Sequence, residues 1–253
     1  MLRLLKALPL TLAIAAVSIV ATSCGSNNGT KARFFNAIQN TSTYGGSLDV
    51  EVNGTQQFTN VTFPGVSAST YTSIPSGNVT FEGFEYPGVT TPVFTDSTTL
   101  SGGTQYTEVA TGFAGGTVVL LSLSDDNSVP ANGTLNFRVI NASPNSPGGG
   151  GVDIWIEPAP YPFAVKEPAT IQNLAYQSVS RYANVPYNPA TGEGFTVFVY
   201  TAGGGTQQFN YTFPNINASP NSAAVCTLVL TDNANGSRMS SFPILLDDNN
   251  CAN

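Results

Sequence analysis

The chain has 253 residues, enough for one to two domains, and 9% of them are charged against about a quarter in an ordinary soluble protein. A hydrophobic fraction of 41%, together with 25 Gly and 17 Pro, excludes charge-driven disorder and argues against helical bundles and coiled coils. The sequence has no His, the commonest general base and zinc ligand, and its net charge of −7 argues against a nucleic-acid partner.

Residues 1–23 read as a cleaved signal peptide, with Arg3 and Lys6 as its basic start and Leu8 to Val20 as its apolar run. That run is short of the roughly 20 residues a membrane span needs. It ends at Ala21-Thr22-Ser23-Cys24, which resembles the lipobox of bacterial lipoproteins, with Ala21 where Leu is usual. The resemblance implies that Cys24 is lipidated and anchors an exported protein to the membrane. The alternative is plain secretion, with Cys24 incidental. Without residues 1–23 the chain keeps six basic and fifteen acidic residues, a formal −9. Such a body gains nothing from anionic headgroups, so attachment falls to the lipid. Residues 24–30 form a short tether, and Gly25 in place of an Asp retention signal favours the outer membrane or cell surface. With Cys24 lipidated, Cys226 and Cys251 remain to form one disulfide in an oxidising compartment; two free thiols are the alternative.

Past the tether, Leu48, Val50 and Val52 alternate with Asp49, Glu51 and Asn53, and Asn53-Gly54 supplies a hairpin turn. Further strand-like runs cover Val79 to Phe81, Tyr106 to Thr111 and Val118 to Leu123, separated by Gly- and Pro-rich turns. The same order then recurs. Arg33 to Ala37 matches Arg138 to Ala142, and Leu48 to Val52 matches Val152 to Ile156. Tyr71, Ile74 and Pro75 match Tyr182, Val185 and Pro186, and Leu123 to Asp126 matches Leu245 to Asp248. The offset grows from 104 to 122, as a duplicated unit with insertions would give. Gly54 to Phe58 also matches Gly205 to Phe209 at an offset of 151, which no other segment supports. The expected units are 31–129 and 134–253, divided where Pro130 and Gly133 break the pattern. Residues 165–182 admit a helix built on Ile171, Leu174, Ala175 and Val179, but the repeat sets the end of this stretch against the strand at Val66 to Tyr71.

Arg138 to Asn145, then Val152 to Ile156, then Tyr182 and Pro186 resemble the domain of unknown function 4397 family, as does Tyr106 to Gly112. The first copy lacks the family's Ser-Pro, having Ile38-Gln39, and the second lacks its Ala-Thr-Gly ending, having Leu230-Thr231-Asp232. The resemblance implies an all-β chain at the cell envelope: two tandem immunoglobulin-like β-sandwich domains after the signal peptide. It brings no catalytic residues.

Chemistry is sparse. The doublets Asp125-Asp126 and Asp247-Asp248 read as solvated strand ends, with calcium as the functional alternative. Gly148 to Gly151 reads as a strand connection, because no Lys-Ser/Thr or helix follows to make a phosphate cradle. Neither Cys226 nor Cys251 has a His to activate it. The single Trp, Trp155, points away from the core if Val152, Ile154 and Ile156 point into it. Three explanations compete: a lid from residues 157–170 with Tyr161 and Phe163, a contact between domains, or an exposed platform for a sugar ring or protein in which Trp155 and Tyr161 are the candidate ligand-binding residues. The sequence therefore points to a non-enzymatic structural or binding module without cofactor or metal. Its partners would be the membrane, through the lipid, and an extracellular protein or glycan.

Overall fold

The computed structural model describes residues 29–39, 46–68, 70–128, 130–131, 133–147, 151–159, 168–186, 194–213, 223–249 and 251. In the first half, β1 (Thr30–Gln39), β2 (Ser47–Val52), β3 (Thr55–Thr62), β4 (Gly65–Val66), β5 (Thr72–Ile74), β6 (Gly77–Glu85), β7 (Pro92–Leu100), β8 (Gln105–Phe113) and β9 (Val118–Ser124) build two sheets. One is ordered β4-β1-β8-β9, with β5 also on β1, and the other β3-β2-β6-β7. In the second half the strands are β10 (Thr134–Asn141), β11 (Val152–Pro158), β12 (Ile171–Leu174), β13 (Ser178–Val179), β14 (Ala183–Pro186), β15 (Phe195–Thr201), β16 (Gln207–Phe213), β17 (Ala224–Leu230) and β18 (Ile244–Asn249). Their sheets are β13-β10-β17-β18, with β14 on β10, and β12-β11-β15-β16. The same order is therefore written twice. In each half one parallel pair, β1 with β8 or β10 with β17, sits at the centre of a sheet. The two-layer sandwich is that of immunoglobulin-like domains, although the strand order departs from the seven-stranded ABED/CFG arrangement.

Three apolar clusters explain the layering. Phe34, Ile38 and Ala110 from one sheet meet Leu48, Val50 and Phe81 from the other inside the first sandwich. Phe137, Val139 and Leu228 meet Ile154, Val197 and Phe213 inside the second. A third cluster, with Phe35, Ala37 and Val109 against Ile140, Ala142 and Val229, joins the halves. The four sheets are thus stacked, and the two inner ones are covered on both faces. Strands β1, β8, β10 and β17 accordingly read as near-continuous buried runs, whereas β2 shows the alternation of a sheet with one open face.

The register fixes which residues correspond. Asp49 accepts the backbone N–H of Asn60 at 2.8 Å, and Asp153 that of Asn173 at 2.7 Å. Both asparagines adopt positive φ, 51° and 50°. The match at offset 151 falls on β3 and β16, at opposite edges of the outer sheets, and so is not the register of the repeat. The final match needs correction by one residue: Thr107 faces Leu123 while Thr227 faces Leu246, which sets Asp125 against Asp248 rather than Asp247. The helical reading of 165–182 also gives way, because Ile171–Leu174 pairs with β11 and the segments after it pair with β10.

Two features of the cores bear on stability. Cys226 and Cys251 form a disulfide that closes a separation of 25 residues and holds the chain end against β17. In the first core, Glu108 is fully buried; its Oε1 accepts the Ser122 hydroxyl at 2.9 Å, and its Oε2 has no partner among the described residues. The second half has Leu228 and Leu245 at the corresponding positions. Burial, aided by the charges of Asp125 and Asp96 and opposed by the Ser122 hydrogen bond, pushes the Glu108 carboxyl up to about 8.

Cys226→Ser with Cys251→Ser is expected to lower the unfolding free energy by about 3 kcal/mol, read from urea denaturation. A second expectation concerns pH. Between the carboxyl's unfolded value and about 8, the folded chain holds a proton that the unfolded chain has released, so this group erodes stability as pH rises through that window. Glu108→Gln should flatten the decline in melting temperature between pH 5 and 8, and an unchanged slope would contradict the buried, protonated state.

Candidate functional site

The most organised polar site lies between the halves. Arg33 and Arg138 project from two-sided strands toward the junction, each with its guanidinium carbon 5.0 Å from a tyrosine ring centroid, Tyr71 and Tyr182 respectively. Arg33 donates from Nε to Thr107 Oγ1 at 2.9 Å and from Nη1 to the Asp247 carbonyl at 2.8 Å. Its Nη2 pairs with Asp248 of the other half. Arg138 repeats the pattern, donating to Thr227 Oγ1 at 3.1 Å and the Ser124 carbonyl at 3.0 Å, and pairing with Asp125 at 2.5 Å. Each half therefore gives an arginine and receives one, as in an isologous contact.

Both carboxylates are filled by donors. Asp125 Oδ2 accepts Tyr71 Oη at 2.6 Å and Thr107 Oγ1 at 2.8 Å. Asp248 Oδ2 accepts Tyr182 Oη at 3.1 Å and Thr227 Oγ1 at 2.6 Å. Burial, the largest influence, raises the Tyr71 and Tyr182 phenols well above their ordinary value, so both remain protonated donors. Burial alone would lower Arg138, but Asp125, Tyr182 and Asp248 together outweigh it and keep the guanidinium charged. Chemically the cluster is a clamp, since every group that could act as base or nucleophile is already engaged.

The doublets thus differ from both sequence readings. The side chains of Asp125 and Asp248 are fully buried instead of solvated, and their oxygens are spent on arginine, tyrosine and threonine. Asp126 is exposed, and Asp247 accepts the Cys251 N–H at 2.7 Å. Among the described residues no three His, Cys, Asp or Glu side chains are grouped to hold a metal ion. Sequence reasoning used Arg33 and Arg138 only to align the repeat. The available signal was a charge embedded in an otherwise buried run, which demands a partner.

The far end of the junction is tied separately. Thr111 Oγ1 donates to the Ala142 carbonyl at 2.9 Å, and Gln39 donates to the Gly236 carbonyl. Gly236 has φ of 60°, and a Cβ there would collide with the Gln39 side chain.

Trp155 faces away from the second core, as alternation requires, but it is only 4% exposed. It packs edge-to-face on Tyr200, with ring centroids 5.2 Å apart, beside Phe198 and Ala169. An open aromatic platform at Trp155 is therefore not what the fold presents, and the junction between halves is built from other residues. Tyr161 and Cys24 lie outside the described residues, as does most of the Gly148 to Gly151 run. No helix among the described residues is long and apolar enough to cross a membrane.

Residues 30–155 match the family model described as Domain of unknown function (DUF4397), which spans β1 to the middle of β11. No curated protein matches the chain. Among solved structures, one described by alpha-glucan binding by a streptococcal virulence factor is 13% identical, covering 87% of this chain and 97% of that one, with a TM-score of 0.28. A candidate cell adhesion protein from Bacteroides fragilis NCTC 9343 is 9% identical over 86% of this chain and 95% of its own, with a TM-score of 0.21. A candidate adhesin from Bacteroides ovatus is 11% identical with the same coverages and a TM-score of 0.25. At these values nothing assigned to the present chain rests on the three.

Arg33→Ala is expected to cost about 3–5 kcal/mol, because it strands the buried Asp248. Arg33→Met combined with Asp248→Leu should cost much less, and a double-mutant cycle by urea denaturation reads the coupling directly.

Proposed function

We propose that the chain is a lipid-anchored cell-envelope protein carrying two copies of the DUF4397-type β-sandwich, at 31–129 and 134–253, as non-catalytic structural or binding modules. The crossed arginine clamp carries this reading. It joins two complete cores into one stiff body, and it spends its polar groups on holding the halves together rather than leaving them open to a substrate. The Cys226–Cys251 disulfide supports export to an oxidising compartment. The sequence around Cys24 supports anchoring through a short tether, residues 24–30.

In this reading the protein works by display. A stiff pair of sandwiches, held off the membrane, presents its edges and connecting loops to an extracellular protein or glycan. A formal charge of −9 after signal removal leaves the lipid as the only strong attraction to an anionic surface. Cys24→Ala should move the protein from the membrane fraction to the soluble exported fraction and abolish incorporation of labelled fatty acid. Retention of the variant in the membrane would overturn the anchoring.

A further inference from the structure

A groove of about 540 Å³ runs along one side of the second half, between β12 and β13–β14. Among the described residues its wall is formed by the stretch Thr170 to Ala183, which crosses from the outer sheet to the inner one. At this side the halves differ: β3 has 8 residues and runs against β4, whereas β12 has 4.

Its lining is polar in a specific way. Gln172, Asn173, Ser178 and Arg181 all line it, and their side chains make no hydrogen bond or ion pair among the described residues. Arg33 and Arg138, by contrast, are fully engaged. Among the described residues no carboxylate lines the groove, although acidic residues outnumber basic ones 15 to 8 in the chain. Tyr182, partly exposed, forms part of the wall, with Arg138 lying over its ring.

We propose that this groove binds a saccharide bearing a single carboxylate. Arg181 presents the planar fork that matches a carboxylate with two parallel hydrogen bonds. The amides and hydroxyl offer both donors and acceptors, as neighbouring sugar hydroxyls require. A peptide is a poorer occupant, since β13 gives an edge of only 2 residues for strand addition. At physiological salt, charge is screened over about 8 Å, so the contact with Arg181 survives the negative surroundings while a polyanion is disfavoured. The proposal rests on the binding-module reading and is independent of the anchor.

The test uses the mature chain with Cys24→Ser, titrated calorimetrically with digalacturonate monomethyl ester, which carries one carboxylate, and with the dimethyl ester, which carries none. Sub-millimolar binding is expected for the first and at least about 10-fold weaker binding for the second. Arg181→Gln should weaken the charged ligand by a similar factor, Arg181→Lys should fall between, and Arg238→Gln, at an exposed arginine elsewhere, should leave it unchanged. Circular dichroism confirms that each variant is folded. Absence of binding, equal affinity for the two esters, or full affinity in Arg181→Gln would overturn the proposal. Equal affinity for the two esters would overturn the carboxylate site while leaving the binding-module reading standing, whereas absence of binding to both would count against each, so the two failures remain distinguishable.

Discussion

Two arginines crossing between two sandwiches set the organisation of the molecule. A guanidinium cannot be buried in a sheet face without a counter-charge and filled hydrogen bonds, and neither half supplies its own direct ion pair at close range: Arg33 lies 3.9 Å from Asp125 but bonds Asp248. The pairing is therefore met across the junction, where apolar residues such as Phe35 and Val229 exclude water around it. Apolar contact alone would join the sheets over a range of angles. The clamp selects one, because five-donor guanidinium geometry tolerates little displacement.

The outer sheets are then free to vary, and they do. The inner sheets keep the same arginines, threonines, tyrosines and aspartates at matching positions. The outer sheet of the second half has a shortened edge at β12, and its outward face carries Trp155, packed with Phe198 and Tyr200, where the first half has Glu51. Inside the sandwiches the halves also diverge, with Glu108 in one and Leu228 in the other. Conservation of the clamp beside divergence elsewhere fits a pair of modules whose common task is mutual attachment.

Much of this was legible in the chain. Alternation at Leu48 to Val52 located an outer strand, and the recurrence of Arg, Asn and Ala located the repeat. Periodicity carried less at Phe34-Phe35 and Val139-Ile140, because a strand buried on both faces has no polar side to mark its register. The doublets were misread for a related reason: an aspartate at a strand end is ordinarily solvated, and Asp125 is covered only because Arg138 reaches it from the second sandwich while Tyr71 and Thr107 close on it from the first. Trp155 was aimed correctly, and its cover includes Ala169 of the 157–170 stretch together with Phe198 and Tyr200 of β15, neighbours that its own strand does not reveal.

The span between Arg33 and Asp248 has a further consequence for biogenesis. Synthesis runs from the N-terminus, so the first sandwich is made before the second, with its junction face bare. Until the last strand is delivered, Phe35, Ala37 and Val109 remain open to water and one cation lacks its counter-ion. The final few residues thus act as a latch, and a chain cut short before β18 would expose a sticky nascent surface to chaperones and proteases.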